Sequence, residues 1–233
     1  TDQVEFANVI VLNKIDMVSE EHLGILRGTL QKLNPGAQIL ETNFSEIDPT
    51  RILKTGLFDF EEAEESAGWI EELNKEEHTP ETEEYGIGSF VYRTKLPFDP
   101  ERFWHFFHAK FPSNIIRSKG LFWIASRPNQ ALIWGQAGGS IRTDSAGLWW
   151  SSMPFSSRTQ FPSFVENQMD IEQAWDPQFG DRKTEIVIIG QDLDEIQIRH
   201  ELDACLVPAH LLDDNWEEGY MDAWPVERVR PLS

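Results

Sequence analysis

The chain has 233 residues, 40% of them hydrophobic, enough for one large domain or two small ones. Forty Asp and Glu face 20 Lys and Arg, a formal charge of −20 that argues against a surface built to bind nucleic acid or an anionic membrane. No apolar run approaches the roughly 20 residues of a membrane span, no signal-peptide pattern is read, and a single cysteine, Cys205, excludes an internal disulfide framework and fits a reducing compartment such as the cytoplasm.

Residues 2–12 read as the run into a buried strand that begins abruptly at Thr1, so a piece of a longer protein is expected. Phe6 to Leu12 form a nearly continuous apolar stretch rich in β-branched residues, the pattern of a parallel strand covered on both faces. Ser19 then offers a helix N-cap, with Glu20 and Glu21 in the first turn. Leu23, Leu26, Leu30 and Leu33 recur at three- and four-residue spacing and predict one apolar stripe, ended by Asn34-Pro35-Gly36. Residues 37–42 read as a second short strand, and Asp48-Pro49 as the cap of a helix reaching about Lys54. Strand, helix, strand, helix is the grammar of an open, doubly wound α/β sheet. Two strands are too few for a stable domain of that kind, so the remainder is expected upstream of residues 1–58.

Residues 59–84 hold 12 carboxylates against Lys75, a net of −11. Trp69, Ile70 and Leu73 suggest a short amphipathic helix, but by composition the segment is an acidic, solvated linker. A cation-attracting role around His78 finds no fixed ligand spacing.

Residues 85–233 change character again. Strands are expected over 87–94, 121–126, 131–135, 148–150 and 184–189, with 226–229 as a candidate closing edge. Asp99-Pro100 caps a helix that carries Phe103, Phe106 and Phe107 on one face. Residues 192–206 read as a second helix, with Leu193, Ile196, Leu202 and Cys205 inward. Residues 153–181 are a polar, Pro-containing connection with some helical character. Together these predict an α+β domain, a mainly antiparallel sheet with two helices on one face.

The residues that carry chemistry are Asn13-Lys14-Ile15-Asp16, directly after the first strand. A carboxylate at Asp16 can accept two hydrogen bonds from the ring N–H and exocyclic amine of guanine, a pair that adenine cannot present. Asn13 can tie the loop together, and the aliphatic stem of Lys14 can lie along the base or ribose while its ammonium stays in water. Ligands of open α/β sheets bind at the carboxyl ends of strands. The competing reading is a polar strand-to-helix turn, where Asn and Asp are common. No Gly is followed by Lys, so the GxxxxGK phosphate loop is absent. The chain can contact a base but has nothing to hold or cleave its phosphates, and alone it is expected neither to bind GTP usefully nor to hydrolyse it.

Other candidates are weaker. His105 and His108, three residues apart, are compatible with shared metal ligation but lack a third ligand, and an exposed polar face explains them. Cys205 follows the inward pattern of its helix, and His200 is read as lying off its face. Arg117, Lys119 and Arg182 read as structural partners of carboxylates or as an interface. Trp104, Trp123, Trp134, Trp149 and Trp150 read mainly as core and sheet-face packing.

The chain resembles the CobW-type subfamily of P-loop GTPases. The resemblance rests on Asn13-Lys14-Ile15-Asp16 with Leu33-Asn34-Pro35, Thr55-Gly56-Leu57-Phe58-Asp59, and His78-Thr79-Pro80-Glu81 leading to Tyr85-Gly86-Ile87. It continues through Phe98-Asp99-Pro100-Glu101-Arg102, Ile116-Arg117-Ser118-Lys119-Gly120, Gly180-Asp181-Arg182 and Leu202-Asp203-Ala204-Cys205-Leu206. It implies the end of a GTPase domain (1–58), a linker (59–84) and the family's C-terminal domain (85–233). It further implies a Mg²⁺-dependent GTPase and metallochaperone whose hydrolysis gates delivery of zinc, cobalt or another divalent metal to a client metalloprotein. Asn13, Lys14 and Asp16 would then select guanine, and Thr42-Asn43 falls where a second base-contacting loop is expected. The family's CxCC metal motif has no counterpart in this chain, so no residue here is assigned to metal. The alternative is a non-catalytic interaction module without a working nucleotide site.

Overall fold

The computed structural model describes residues 2–57, 73, 84–212 and 218–229. The helix expected around Trp69 and the His78 segment lie outside these. The chain divides into two compact units. The first comprises residues 1–91, 114–117 and 187–193, and the second comprises 92–113, 118–186 and 194–233.

In the first unit, residues expected to run extended into a strand instead form a short helix, α1 (Asp2–Glu5), before β1 (Val9–Asn13). Helix α2 (Glu20–Leu33) starts as expected at Ser19, whose side chain accepts from the His22 N–H, and ends at Asn34. The Asn34 amide donates to the carbonyls of Val4 at 2.8 Å and Ala7 at 2.9 Å, so the helix stop also fixes the lead into β1. Strand β2 (Gln38–Thr42) pairs parallel to β1, in register from Val9 opposite Gln38 to Asn13 opposite Thr42. The expected parallel pair is therefore present. Its first strand is half-buried rather than covered on both faces, and Val11 is exposed, because a two-stranded sheet cannot bury both faces. On α2, Leu23 and Leu33 are buried while Leu26 is exposed, so the apolar stripe is narrower than its spacing suggests. Leu33 packs with Val91, Val187 and Ile189. The helix expected from Asp48 to Lys54 is one 3₁₀ turn, Pro49–Arg51, capped by Asp48 accepting from the Thr50 N–H at 2.9 Å.

The longer sheet has the strand order β3-β7-β4-β5-β6. Its strands are β3 (Ile87–Thr94), β4 (Ile115–Phe122), β5 (Gln130–Ala137), β6 (Ser140–Leu148) and β7 (Thr184–Gln191). Strands β5 and β6 are antiparallel, joined through Gly138 (φ 52°) and Gly139, the positive φ that a two-residue hairpin needs. The sheet is mainly antiparallel, as expected for an α+β domain. Two strand expectations need correction. The strand read at 121–126 instead runs over β4, and that read at 148–150 is only the end of β6, with Trp149 leading into a 3₁₀ turn at Trp150–Ser152. The 153–181 connection contains three short helices, α4 (Phe155–Arg158), α5 (Pro162–Glu166) and α6 (Gln168–Gln173), so helices are more numerous than two.

Helix α3 (Pro100–His105) begins where Asp99 accepts from the Glu101 and Arg102 N–H groups, both at 3.0 Å, and continues as a π-turn, Phe106–Lys110. Its Phe face is buried as expected: Phe103 stacks on Phe98 with ring centroids 3.7 Å apart, and Phe107 stacks on Trp134 at 3.6 Å. Helix α7 (Glu195–Asp203) turns Ile198 and Leu202 inward, followed by Cys205. Ile196, expected inward, is 82% exposed, because two residues along a helix point to opposite sides. Residues 226–229 form no strand. Their carbonyls are taken by side chains instead: Arg127 donates to Val226 at 2.6 Å, and Gln130 donates to Glu227 at 2.8 Å.

Several family-like motifs do structural work. A Cβ on Gly120 would lie 1.9 Å from the Glu185 carbonyl oxygen, so only glycine allows β4 that close to β7. Asp181 accepts from the Trp150 and Ser151 N–H groups, each at 2.8 Å. Arg182 donates to the carbonyls of Pro128 and Phe179 and lies over the Trp123 ring. Trp123, Trp134 and Trp149 are core residues, as read from composition.

Candidate functional site

Because Asn13 and Thr42 are paired, the loops that follow β1 and β2 leave the sheet side by side at its carboxyl edge. Side chains then lace the loops together. Asn13 Oδ1 accepts from the Lys14 N–H at 2.8 Å and the Ser45 N–H at 3.0 Å, and its Nδ2 donates to Ser45 Oγ at 2.7 Å. Asn43 Oδ1 accepts from the Asp16 N–H at 3.0 Å. Thr42 Oγ1 closes the second loop by donating to the Glu46 carbonyl at 2.9 Å. Asn13 is thus a loop tie, as its chemistry suggested.

Backbone strain concentrates here. Lys14, Phe44 and Ser45 all adopt left-handed conformations, with φ of 62°, 54° and 58°. Such values are unfavourable for residues with a Cβ and persist where surrounding bonds over-determine them, as the Asn13 and Asn43 bonds do. Lys14 and Asp16 are exposed, and among the described residues the Asp16 carboxylate makes no hydrogen bond or ion pair. A carboxylate free to accept, on a loop held by its own backbone N–H, suits recognition of a paired donor edge. The Thr42-Asn43 segment lies beside the first loop, but the residue that grips Asn13 is Ser45, which the sequence reading did not select. The signal was there in principle, a polar Asn-Phe-Ser turn straight after a parallel strand.

The remaining candidates separate. His108 Nδ1 lies 2.9 Å from the Trp104 carbonyl oxygen and its ring rests against Trp104. Cys205 is buried, and desolvation pushes its thiol up to about 11. Arg117 pairs with a carboxylate, Glu5, whereas Arg182 engages main-chain carbonyls. Among the described residues no three His, Cys, Asp or Glu side chains are grouped to hold a metal ion. No described helix is long and apolar enough to cross a membrane.

A parallel strand pair with laced loops at its carboxyl edge is followed along the chain by a mainly antiparallel α+β unit. Two family profiles agree. That of the cobalamin synthesis protein cobW C-terminal domain matches residues 87–206, and that of the CobW/HypB/UreG nucleotide-binding domain matches residues 1–41. The chain belongs to the cobW family. It is 40% identical over 210 residues to the zinc-regulated GTPase metalloprotein activator 1 of Dictyostelium discoideum, covering 88% of this chain and 43% of that protein. It is 29% identical over 119 residues to a zinc chaperone of Mycobacterium tuberculosis, covering 50% of this chain and 28% of that one. The Zn(II)-bound YjiA GTPase from E. coli aligns over 88% of this chain and 54% of that one, with a TM-score of 0.43 and 20% identity. The chain spans less than half the length of the Dictyostelium and mycobacterial relatives it matches.

Proposed function

We propose that this chain supplies the guanine-selecting edge and the C-terminal domain of a GTP-hydrolysing metallochaperone that handles zinc, cobalt or another divalent metal in the cytoplasm. The observation that carries the reading is the pair of in-register strand ends whose loops are locked by Asn13, Asn43 and Ser45 while the Asp16 carboxylate has no partner among the described residues. Asp16 accepts from the base, Asn13 holds the loop, and the Lys14 stem covers the base or ribose. Residues 1–58 act as the end of the GTPase domain, 59–84 as an acidic linker and 85–233 as the C-terminal domain, with phosphates and Mg²⁺ held by a further part of the protein. The names of the Dictyostelium and mycobacterial relatives support zinc and GTP as the matched chemistry, and a metalloprotein as the client.

Asp16→Asn in the full-length protein tests this. Asn offers an amide donor where the carboxylate accepted the guanine amine, and xanthine carries an acceptor at that position. GTP binding should weaken by about 10- to 100-fold, the cost of one charge-assisted hydrogen bond, and xanthosine triphosphate should become the preferred ligand. Unchanged GTP preference would refute the role and leave the interaction-module reading.

A further inference from the structure

Within the second unit, α3 with its π-turn and α7 border a cavity of about 400 Å³. Its walls bring together Arg102, His105, Phe106 and Lys110 from one side with His200 and Cys205 from the other. His200 and Cys205, read from sequence as lying on different faces, thus meet on one cavity. Phe106 and Cys205 are buried and give it an apolar floor. The rim is cationic in a chain whose net charge is −20. Among the described residues the side chains of His105, Lys110 and His200 make no hydrogen bond or ion pair, and Arg102 has only a loose 3.7 Å contact with Asp99. The one carboxylate in the lining, Glu201, already accepts from Gln197 at 2.7 Å.

The π-turn is what gathers these cations. In an α-helix Lys110 would sit about 140° around the axis from His105. Hydrogen bonding between residues five apart brings that pair toward one side instead, and π-turns of this kind occur often at functional sites. Arg102 and Lys110 are eight residues apart, roughly 12 Å at helical rise. That distance is too long for one small anion to engage both. It matches carboxylates four residues apart on an extended chain, about 13 Å.

We propose that this cavity docks an acidic, extended segment of a partner protein, its carboxylates meeting Arg102 and Lys110 and an intervening apolar side chain resting on Phe106 and Cys205. The proposal stands on the second unit alone and does not depend on guanine selection.

The test is fluorescence anisotropy of the whole chain, without nucleotide, using a labelled acetyl-Glu-Ser-Leu-Ser-Glu peptide, whose two Glu and central Leu share one face when extended. Saturable binding is expected, with none for the matching Gln-Ser-Leu-Ser-Gln peptide. The double variant Arg102→Glu, Lys110→Glu should weaken binding at least tenfold. Arg142→Glu, which reverses a cation on β6 that has no partner among the described residues, should change it less than twofold. Ala204→Trp fills the cavity without altering charge and should also abolish binding. It provides a second reading should the charge reversal disturb folding. Wild-type affinity in both cavity variants, an equal loss in Arg142→Glu, or displacement by an equimolar amount of inorganic phosphate would overturn the proposal.

Discussion

Arg117 donates from Nε to Glu5 Oε1 at 2.6 Å, with the two side chains only 6% and 1% exposed. Removing one member of a buried, hydrogen-bonded ion pair is costly, whereas replacing both charges by apolar groups often costs little. Arg117→Met should therefore destabilise the protein by about 3–5 kcal/mol, read as a lower urea midpoint. The double variant Glu5→Leu, Arg117→Met should recover most of that loss. A single variant within 1 kcal/mol of the wild type would contradict the assignment.

Asp222 gives the C-terminal segment a dependence on acid. Burial pushes its carboxyl up, but hydrogen bonds from Arg127 and Ser126 and the Arg127 charge outweigh this and hold it below the ordinary aspartate value. The folded carboxyl thus binds its proton less readily than the unfolded one. Its contribution is full above the unfolded value of about 3.9 and is lost as pH falls through the lower folded value. Thermal melts from pH 6 to pH 2.5 should show Asp222→Asn losing less stability than the wild type over the acid end. Parallel curves would count against it.

Cys205 has the opposite sign. Desolvation raises its thiol to about 11, so between the unfolded value of about 8.5 and the folded one the unfolded chain releases the proton first. Stability from this group is present below pH 8.5 and declines as pH rises through that window. Native protein at pH 8 should react with iodoacetamide at least tenfold more slowly than the same protein in urea. Equal rates would mean an accessible thiolate.

The elements legible in sequence are those built from uncharged apolar runs or opened and closed by capping residues. The stretch around Val9, Ile87–Thr94 and Thr184–Gln191 announce themselves through β-branched runs, and Ser19, Asn34, Asp48 and Asp99 through capping chemistry. Strand β4 escapes an apolar-pattern reading because Arg117 and Lys119 interrupt its run, and the carboxylate that Arg117 is buried against lies 112 residues away. Strand β6 lies at the sheet edge and is mostly exposed, so its Ser-Ile-Arg-Thr-Asp pattern carries no apolar alternation. In α7 Ile196 and Ile198 are equally apolar and two residues apart, so composition alone does not say which of them faces inward. At the candidate site Asn13, Lys14 and Asp16 were legible by type and order. Ser45 was not, because its partnership with Asn13 depends on the register of two strands 25 residues apart.

The stretch Gly180-Asp181-Arg182 binds neighbouring turns through main-chain groups, and Gly120 leaves room for the adjoining backbone. Sequence searches weighted on those letters would gather proteins that share a scaffold, whatever cargo each one carries. Relatives that differ in metal or client should diverge instead around the rim of the α3–α7 hollow, where substitutions leave the architecture intact.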